Sequence, residues 1–459
     1  MKHSLIKSKD FLSKSGSYMD ILCAIVLVLA FGCHFYAAAV TAVDVPFWDD
    51  WGWFPKECPA WIFAFDNEHR CVPTRLLIAI QFAINGWDIR SAIITNFILF
   101  GLTLLVYVRF LLSFAKRAPK WSIYLLSICV LSPLAIEAHH WGIGSAWHFP
   151  MLFGILGTWQ LFHPDTKTIR DVVGSFLLVL CLYSVGSGLV ISFSIIATWM
   201  VFRAGLALKA PNIPSWKVAL TRMSPAVGIY FIALVLWFDG YKKIAAHGEP
   251  AGPFTSHFWN FLGILLQNGF AFPRHISLTA PWLGFLVLIP YLVIPACYFM
   301  GRHIFTRRTV RPEVAGLIAL SLGLLGVAAL TSYGRGNFPI GFTNSGRYLI
   351  FLLYMIPVSV LLWAELLTPW KKLRSAWLAI SCIVFLGLQL RLIPLFAIYN
   401  GNMVARQEQV RLIKGYYKNG EPKPFYIPGF WLPIDPYLDL AKQKNYSFYR
   451  KIHSAESPK

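Results

Sequence analysis

Two adjacent carboxylates, Asp49 and Asp50, are the residues of this sequence best suited to acid–base chemistry. They follow the first long apolar stretch and lie between Trp48 and Trp51. A carboxylate held at a low-dielectric boundary has a raised pKa, so it can serve as a general base toward an attacking hydroxyl. The alternative is a solvated acidic loop, but the aromatic enclosure of the two acids favours a functional role.

The same loop carries a second polar cluster, which consists of Asp66, Asn67, Glu68, His69 and Arg70. An apolar segment at residues 76–84 follows the cluster. It is too short to cross a membrane and is typical of an interfacial helix. Cys58 and Cys71 flank the cluster and could form a disulfide if the loop faces a periplasmic compartment.

Glycines and arginines concentrate in a later segment, TSYGRGNFPIGFTNSGRY, which contains Arg335 and Arg347. Arg347 begins an apolar stretch, and the candidate N-caps before it are Thr343, Asn344 and Ser345. A helix N-terminus beside an arginine attracts anions, and the guanidinium fork matches a phosphate group. The segment therefore predicts a phosphate site. The alternative is an arginine that extends to lipid headgroups.

Other basic residues near the apolar stretches are weaker candidates for an anion site. They are Lys242, Lys243, Arg274 and His275. Each of them alone is typical of a contact with lipid headgroups.

Three histidines, His139, His140 and His148, cluster around the segment WGIGSAW. Three histidines can bind zinc, but this spacing matches no recognised ligand pattern, so a divalent cation is compatible with the sequence without being implied. The sequence also lacks a P-loop, a GxGxxG segment after a strand and an HExxH motif. We therefore predict no cofactor.

The composition places these residues in a membrane protein. Of 459 residues, 57% are hydrophobic and 14% are charged, against roughly 25% charged residues in soluble domains. The net charge of +20 is better explained by basic cytoplasmic loops and contacts with membrane lipids than by nucleic acid, which we do not expect as a partner.

Apolar length predicts an all-α polytopic membrane protein with about eleven transmembrane helices and an interfacial helix in the first outer loop. The predicted spans are residues 21–43, 91–114, 121–135, 147–161, 172–183, 189–202, 218–238, 281–300, 315–331, 348–366 and 376–397.

The distribution of lysine and arginine predicts the orientation. Alternate loops carry Lys or Arg, whereas the loop at 137–147 has none and the loop at 44–90 holds four basic residues against seven acidic ones. The positive-inside rule then puts residues 1–20 in the cytoplasm and the loop at 44–90 outside. Residues 21–397 form the transmembrane core, and residues 398–459 form a small outer C-terminal segment.

The layout resembles the GT-C class of integral membrane glycosyltransferases. VPFWDDW follows the first span, DNEHR precedes TRLL at the interfacial helix, and GRG with NSGRY lies late in the chain. These segments look like those of largely uncharacterised bacterial members of the class. Such enzymes take a sugar from a polyprenyl phosphate or pyrophosphate, and their first outer loop bears an essential acid. This sequence departs from the class in having no extended soluble C-terminal domain.

By this resemblance, the chain is expected to be a glycosyltransferase of the bacterial cytoplasmic (inner) membrane. It would move a sugar from a polyprenyl-phosphate carrier to an envelope glycan or lipid acceptor on the outer face. Asp49 or Asp50, with Asp50 slightly preferred, would activate the acceptor hydroxyl. Arg347 and Arg335 would hold the phosphate and stabilise its charge. The further residues grouped with this substrate-binding set are Glu68, His69, Arg70, Arg75, Lys242 and Arg274.

Two alternatives to the enzyme stay open. A transporter or flippase of a lipid-linked saccharide would use the same arginines and need no base. Ion coupling is disfavoured because few ionisable residues lie within the predicted spans, and Arg109, Glu365 and Arg391 lie near span ends. In a structural or assembly protein, the acids and arginines would not converge on one cavity.

Overall fold

The chain forms a bundle of long apolar helices in a computed structural model, and 81% of it is helical. The structure describes residues 2–54, 59–165, 167–209, 214–242, 249–270, 280–306, 309–388, 394–419, 425–427 and 433–454. The helices in chain order are α1 (Lys2–Thr41), α2 (Val72–Asn85), α3 (Ile89–Phe114), α4 (Lys120–Ser127), α5 (Ile136–His139), α6 (Ser145–Leu161), α7 (Thr168–Leu182), α8 (Gly186–Lys209), α9 (Pro214–Phe238), α10 (Ser256–Gly269), α11 (Pro281–Leu288), α12 (Ile294–Phe305), α13 (Pro312–Arg335), α14 (Gly346–Leu366), α15 (Lys371–Leu388), α16 (Leu395–Asn419), α17 (Asp435–Gln443) and α18 (Ser447–Ser454).

Eight helical stretches of the described chain are long and apolar enough to cross a membrane. They are Tyr18–Thr41, Ile89–Phe114, Lys120–His139, Gly186–Lys209, Leu220–Phe238, Pro281–Phe305, Pro312–Arg335 and Gly346–Leu366. This is the architecture of an all-α, multi-pass membrane protein. The predicted spans at 147–161, 172–183 and 376–397 overlap α6, α7 and α15, which are outside this set of eight. Helix α6 has 17 residues and α7 has 15, and residues 389–393 are not among those described.

Helix α14 is the most enclosed of these stretches. In its most apolar window 89% of the residues are buried, whereas the share in α1 is 28%. A β-carbon at Gly346 would lie 2.6 Å from the carbonyl oxygen of Leu134. Glycine therefore allows α14 to begin against the segment before α5, and this contact fixes the position of Arg347, the next residue.

The loop between α1 and α3 is compact. It begins with a 3₁₀ helix, Trp48–Trp53, and continues through an antiparallel hairpin of β1 (Phe65–Asp66) and β2 (His69–Arg70) into α2. The hairpin precedes the predicted interfacial helix. One face of α2 exposes its apolar side chains, which are Leu76, Ile80 and Ile84. Their spacing of four residues gives α2 the apolar stripe expected of a helix lying at a membrane surface.

The C-terminal helices pack against this loop. The backbone N–H of Ser447 donates to the carbonyl of Gly86 at 3.1 Å. The ammonium group of Lys451 bridges Asp44 at 2.7 Å and Asp88 at 2.5 Å. The described part of the C-terminal segment is therefore docked onto the first loop.

We call the end of the bundle that carries this loop the site end. The opposite end carries ion pairs between residues of different helices or of their connecting loops. They are Lys116–Glu313, Arg117–Glu365, Arg203–Asp171 and Arg311–Glu365.

Candidate active site

Asp49 and Arg347 meet at the site end. One guanidinium nitrogen of Arg347, Nη1, lies 2.5 Å from a carboxylate oxygen of Asp49. Asp49 comes from the 3₁₀ helix after α1, and Arg347 from the first turn of α14. The Asp49 side chain is 43% exposed and that of Arg347 is 19% exposed. An acid from early in the chain and a cation from late in it thus share one position accessible to solvent.

Aromatic rings fix the Arg347 guanidinium. It lies 5.6 Å from the ring centre of Trp141 and 5.2 Å from that of Tyr348. Its Nε atom is buried and has no hydrogen-bond partner. Part of the donor capacity of Arg347 is therefore unused, and the rings restrict the side chain to one location.

Asp50 has a different environment from its neighbour. Its carboxylate is fully buried and accepts hydrogen bonds from the backbone N–H groups of Phe47 at 3.1 Å, Gly142 at 3.2 Å and Ile143 at 3.1 Å. Burial raises the pKa of Asp50 to about 6, although the nearby Arg406 guanidinium and the three N–H groups lower it. The carboxylate is thus occupied in holding the 3₁₀ helix to the loop before α6.

Arg406 completes this buried arrangement from α16. Its guanidinium donates to the carbonyl of Val45 at 3.3 Å and to that of His140. It also lies 4.7 Å from the ring centre of Phe47. Burial lowers the pKa of Arg406 to about 10, and Asp50 opposes that shift, so the guanidinium is charged at neutral pH. The turn that presents Asp49 is therefore fixed through both Asp50 and Arg406.

Glu137 is a second carboxylate beside Arg347. It lies in the first turn of α5, interacts electrostatically with Arg347, and accepts a short hydrogen bond from the Ser345 hydroxyl. Ser345 is the N-cap residue of α14. Arg347 therefore lies between two carboxylates, Asp49 and Glu137.

Trp48 is the strained residue of the site. Its backbone has a φ of +51°, a conformation that bulky side chains rarely adopt. Trp48 is 41% exposed, and its indole stacks on Trp141 with 6.4 Å between ring centres and 23° between ring planes. An exposed aromatic surface thus adjoins Asp49, and Trp141 packs against it.

Arg70 and Arg75 bind backbone carbonyls of the loop region. Arg70 donates through Nε to Trp237 at 2.9 Å, and through its two Nη atoms to Phe63 at 2.5 Å and to Asp239. Arg75 donates through Nη1 to the carbonyls of Trp61 at 2.7 Å and Ala64. These bonds join β2 to the end of α9, and they join both β2 and α2 to the segment at residues 61–64.

The remaining members of the hairpin cluster lie beside Arg70 and Arg75. Asp66 is 3.9 Å from Arg75. Glu68 and His69 are half-buried, and His69 packs so closely on Gly186 that a β-carbon there would lie 2.6 Å from the ring. The hairpin is therefore docked on the start of α8.

Two of the predicted cations, Arg335 and Lys242, take no part in the Asp49–Arg347 contact, and a third, Arg274, is outside the described residues. Arg335 ends α13, and its guanidinium lies 4.8 Å from the ring centre of Phe338. Lys242 is exposed beyond the end of α9. Arg274 is outside the described residues, as are Lys243, His275 and Cys58.

The three clustered histidines, His139, His140 and His148, are buried in the interior. The rings of His139 and His148 stack with 5.3 Å between their centres, and Thr41 lies 3.4 Å from His140 Nε2. Across the residues that the structure describes, no group of three or more His, Cys, Asp or Glu side chains is placed to hold a metal ion.

Comparisons of the chain with models of protein families, with curated proteins and with solved structures gave no match. The geometry of the site end is therefore the basis for assigning a function.

Sequence reasoning did not single out Glu137, Trp141 or Arg406. Glu137 was detectable as the one acid in a loop without Lys or Arg. Arg406 had no such signal, because the sequence around it reads as an ordinary polar helix. Its role depends on burial against a loop that is remote in sequence.

Proposed function

We propose that this chain is a membrane glycosyltransferase that moves a sugar from a polyprenyl-phosphate carrier to an envelope glycan or lipid acceptor. The observation that carries the proposal is the contact between Asp49 and Arg347 at a partly exposed position. A carboxylate and a guanidinium are the two groups that such a transfer needs, one for the acceptor hydroxyl and one for the leaving phosphate.

In the proposed reaction, Asp49 accepts the proton of the acceptor hydroxyl while the hydroxyl oxygen attacks the anomeric carbon. The bond between that carbon and the carrier phosphate oxygen breaks, and the phosphate leaves with the electron pair. Arg347 stabilises the negative charge that develops on the phosphate. This role requires no metal ion.

Asp49 is a better candidate for the base than Asp50, because Asp50 is fully buried and bonded to three backbone N–H groups. Asp50 is assigned as a positioning residue. Arg70 and Arg75 are likewise assigned to holding the loop, since their guanidinium groups donate to carbonyls. Glu68 and His69 belong to the same hairpin.

Arg335 and Lys242 are assigned a secondary role. Both lie at the ends of helices on the site end, where positive charge attracts anionic headgroups. Arg274 stays a sequence prediction for the same role.

The proposal includes eleven crossings with the site end outside a bacterial inner membrane. Contacts at both ends favour a crossing by α7: Arg203 of α8 pairs with Asp171 of α7 at the opposite end, and the carbonyl of Tyr183 accepts from Val72 at the site end. Helix α6 follows Gly142 and Ile143 at the site end and leads to the start of α7, so it crosses as well. Between α14 and α16 the chain returns to the site end, where Tyr399 contacts His140. The basic residues at the opposite end agree with a cytoplasmic location.

The test is sugar transfer by the purified full-length protein in lipid nanodiscs, using a panel of undecaprenyl-phosphate sugars with radiolabelled sugar groups and an envelope lipid extract as acceptor. Asp49→Asn should reduce transfer by about 10²- to 10⁴-fold, the usual contribution of a general base. Glu408→Gln is the matched control, because Glu408 is an exposed acid that pairs with Arg411.

Unchanged transfer in the Asp49→Asn protein would remove the enzyme mechanism. Movement of intact lipid-linked saccharide across the bilayer, without transfer and without dependence on Asp49, would instead identify a flippase. Retained thermal stability of the variant is required for either conclusion.

A further inference from the structure

Asp49 and Arg347 neutralise each other in the structure, although the proposed reaction needs each of them for a different substrate. The Asp49 oxygen that lies 2.5 Å from Arg347 directs a lone pair at the guanidinium and not at an acceptor hydroxyl. The Nη1 hydrogen that Asp49 accepts is in turn not available to a phosphate. The observed arrangement is therefore a resting state with respect to both substrates.

We infer that a phosphate ester displaces Asp49 from Arg347, and that this exchange releases the Asp49 carboxylate for catalysis. The inference rests on the proposed function and adds an order of binding to it, with the carrier lipid bound before the acceptor. The ligand class is a phosphate monoester or diester at the end of a lipid chain. It replaces one anionic partner of the guanidinium by another, and the displaced carboxylate turns toward solvent.

Arg347 has the features of the stationary partner. It projects from the first turn of α14, and Trp141 and Tyr348 lie against its guanidinium. Its buried Nε has no partner, so a phosphate that bonds to Nε and one Nη would satisfy a donor that Asp49 leaves unpaired. Exchange of the carboxylate for a phosphate therefore increases the number of hydrogen bonds that Arg347 makes.

Asp49 has the features of the moving partner. Its side chain is 43% exposed, whereas the next residue, Asp50, is bonded to three backbone N–H groups. These bonds hold the backbone of the turn, so the exchange needs a rotation of the Asp49 side chain and no movement of the loop. The released carboxylate stays beside the exposed indole of Trp48.

The exchange makes a specific prediction about lipid binding. In the resting protein the phosphate must compete with Asp49, so removing the carboxylate charge should strengthen binding of a sugar-free lipid phosphate. For a partly exposed ion pair the expected gain is about 1.5-fold to fivefold in Kd. A lipid phosphate that binds away from Arg347 predicts no gain.

The experiment is a titration of the full-length protein in phosphatidylcholine nanodiscs with undecaprenyl phosphate, followed by native mass spectrometry. Asp49→Asn and Asp49→Ser should both bind the lipid more tightly than the unchanged protein, and Arg347→Gln should bind it more weakly. The Asp49→Asn change should give no gain in an Arg347→Gln background. Glu408→Gln should leave the affinity unchanged.

The gain should be similar for phosphatidic acid, because the exchange depends on the phosphate and not on the chain that carries it. A gain confined to undecaprenyl phosphate would contradict the exchange. Equal or weaker binding by both neutral Asp49 variants, provided that they keep their melting temperature, would overturn it as well.

Failure of the exchange is distinguishable from failure of the proposed function. If Asp49→Asn abolishes sugar transfer without strengthening lipid binding, the enzyme assignment survives and the exchange does not. If Asp49→Asn strengthens lipid binding but transfer is unaffected, the exchange survives and the assignment of Asp49 as the base does not.

Discussion

Arg406 and Asp50, which are both fully buried, interact electrostatically and so join helix α16 to the turn that carries Asp49. Either charge would destabilise the folded protein if it were buried there without the other, because an uncompensated buried charge is costly. The turn that carries Asp49 is therefore held by a helix from the C-terminal part of the chain.

Arg406→Gln should destabilise the protein by about 3–5 kcal/mol, the usual effect of removing one partner of a buried charge pair. The change also leaves the carbonyls of Val45 and His140 without their donor. The measurement is the apparent free energy of unfolding in mixed micelles. Arg411→Gln, an exposed change on the same helix, should cost less than about 0.5 kcal/mol. Equal effects of the two substitutions would contradict the assigned role of Arg406.

Because of Asp50, the protein should lose stability as the pH rises through the pKa of this acid, which is the opposite of the usual effect of a carboxylate. Burial raises its pKa from 3.8 to about 6, so the folded protein binds this proton more tightly than the unfolded chain does. The resulting stabilisation is present below pH 4 and is lost as the pH rises to about 6.

The check is a comparison of melting temperatures between pH 4 and pH 7 for the unchanged protein and Asp50→Asn. The difference between the two profiles isolates the Asp50 contribution, because other groups titrate in both proteins. Moving from pH 4 to pH 6, the unchanged protein should lose stability relative to the variant. A relative gain would show that the pKa of Asp50 is lowered.

Lys451→Met should loosen the docking of α18 on the first loop, since Lys451 bridges Asp44 and Asp88. The two carboxylates would then repel each other without a cation between them. Hydrogen exchange of residues 447–454 should accelerate by about tenfold, which corresponds to about 1.4 kcal/mol of local stability. Lys442→Met, at an exposed position of α17, should leave that exchange unchanged.

Trp48→Gly should lower activity while leaving stability nearly unchanged. Glycine relieves the strain at φ +51°, which is worth about 1–3 kcal/mol, while loss of the stacking on Trp141 opposes this by about 0.5–1.5 kcal/mol. Stability should therefore change little or rise slightly. Sugar transfer should fall by at least about tenfold if the exposed indole supports a substrate ring.

Trp370→Gly is the control for that comparison, because Trp370 is also exposed but lies near the opposite end, between α14 and α15. Unaltered transfer in the Trp48→Gly protein would assign the strained indole to the membrane interface instead.

Much of the helical layout could be predicted from the sequence, because a long apolar stretch has few alternatives to a buried or membrane helix. The expectation that an early acid and a late arginine meet also holds for Asp49 and Arg347. Its basis was the layout that resembles the GT-C class, together with the alternation of basic and acidic loops, which predicts the end of the bundle at which each loop lies.

The choice between Asp49 and Asp50 was beyond sequence reasoning. The two acids are adjacent, and their environments differ because the backbone N–H groups of Gly142 and Ile143 point at Asp50. Those donors come from a loop distant in the chain, so the sequence around Asp49 and Asp50 does not indicate them. The same holds for Arg70 and Arg75, whose carbonyl partners depend on how the hairpin folds.

The docking of α16 and α18 on the first loop has a consequence for biosynthesis. Asp44 and Asp50 leave the ribosome early, whereas Arg406 and Lys451, which compensate their charges, are translated after α14 and α15. Until then the first loop carries acids without their partners and cannot take its final shape. Maturation of the site therefore waits for translation of the distal helices.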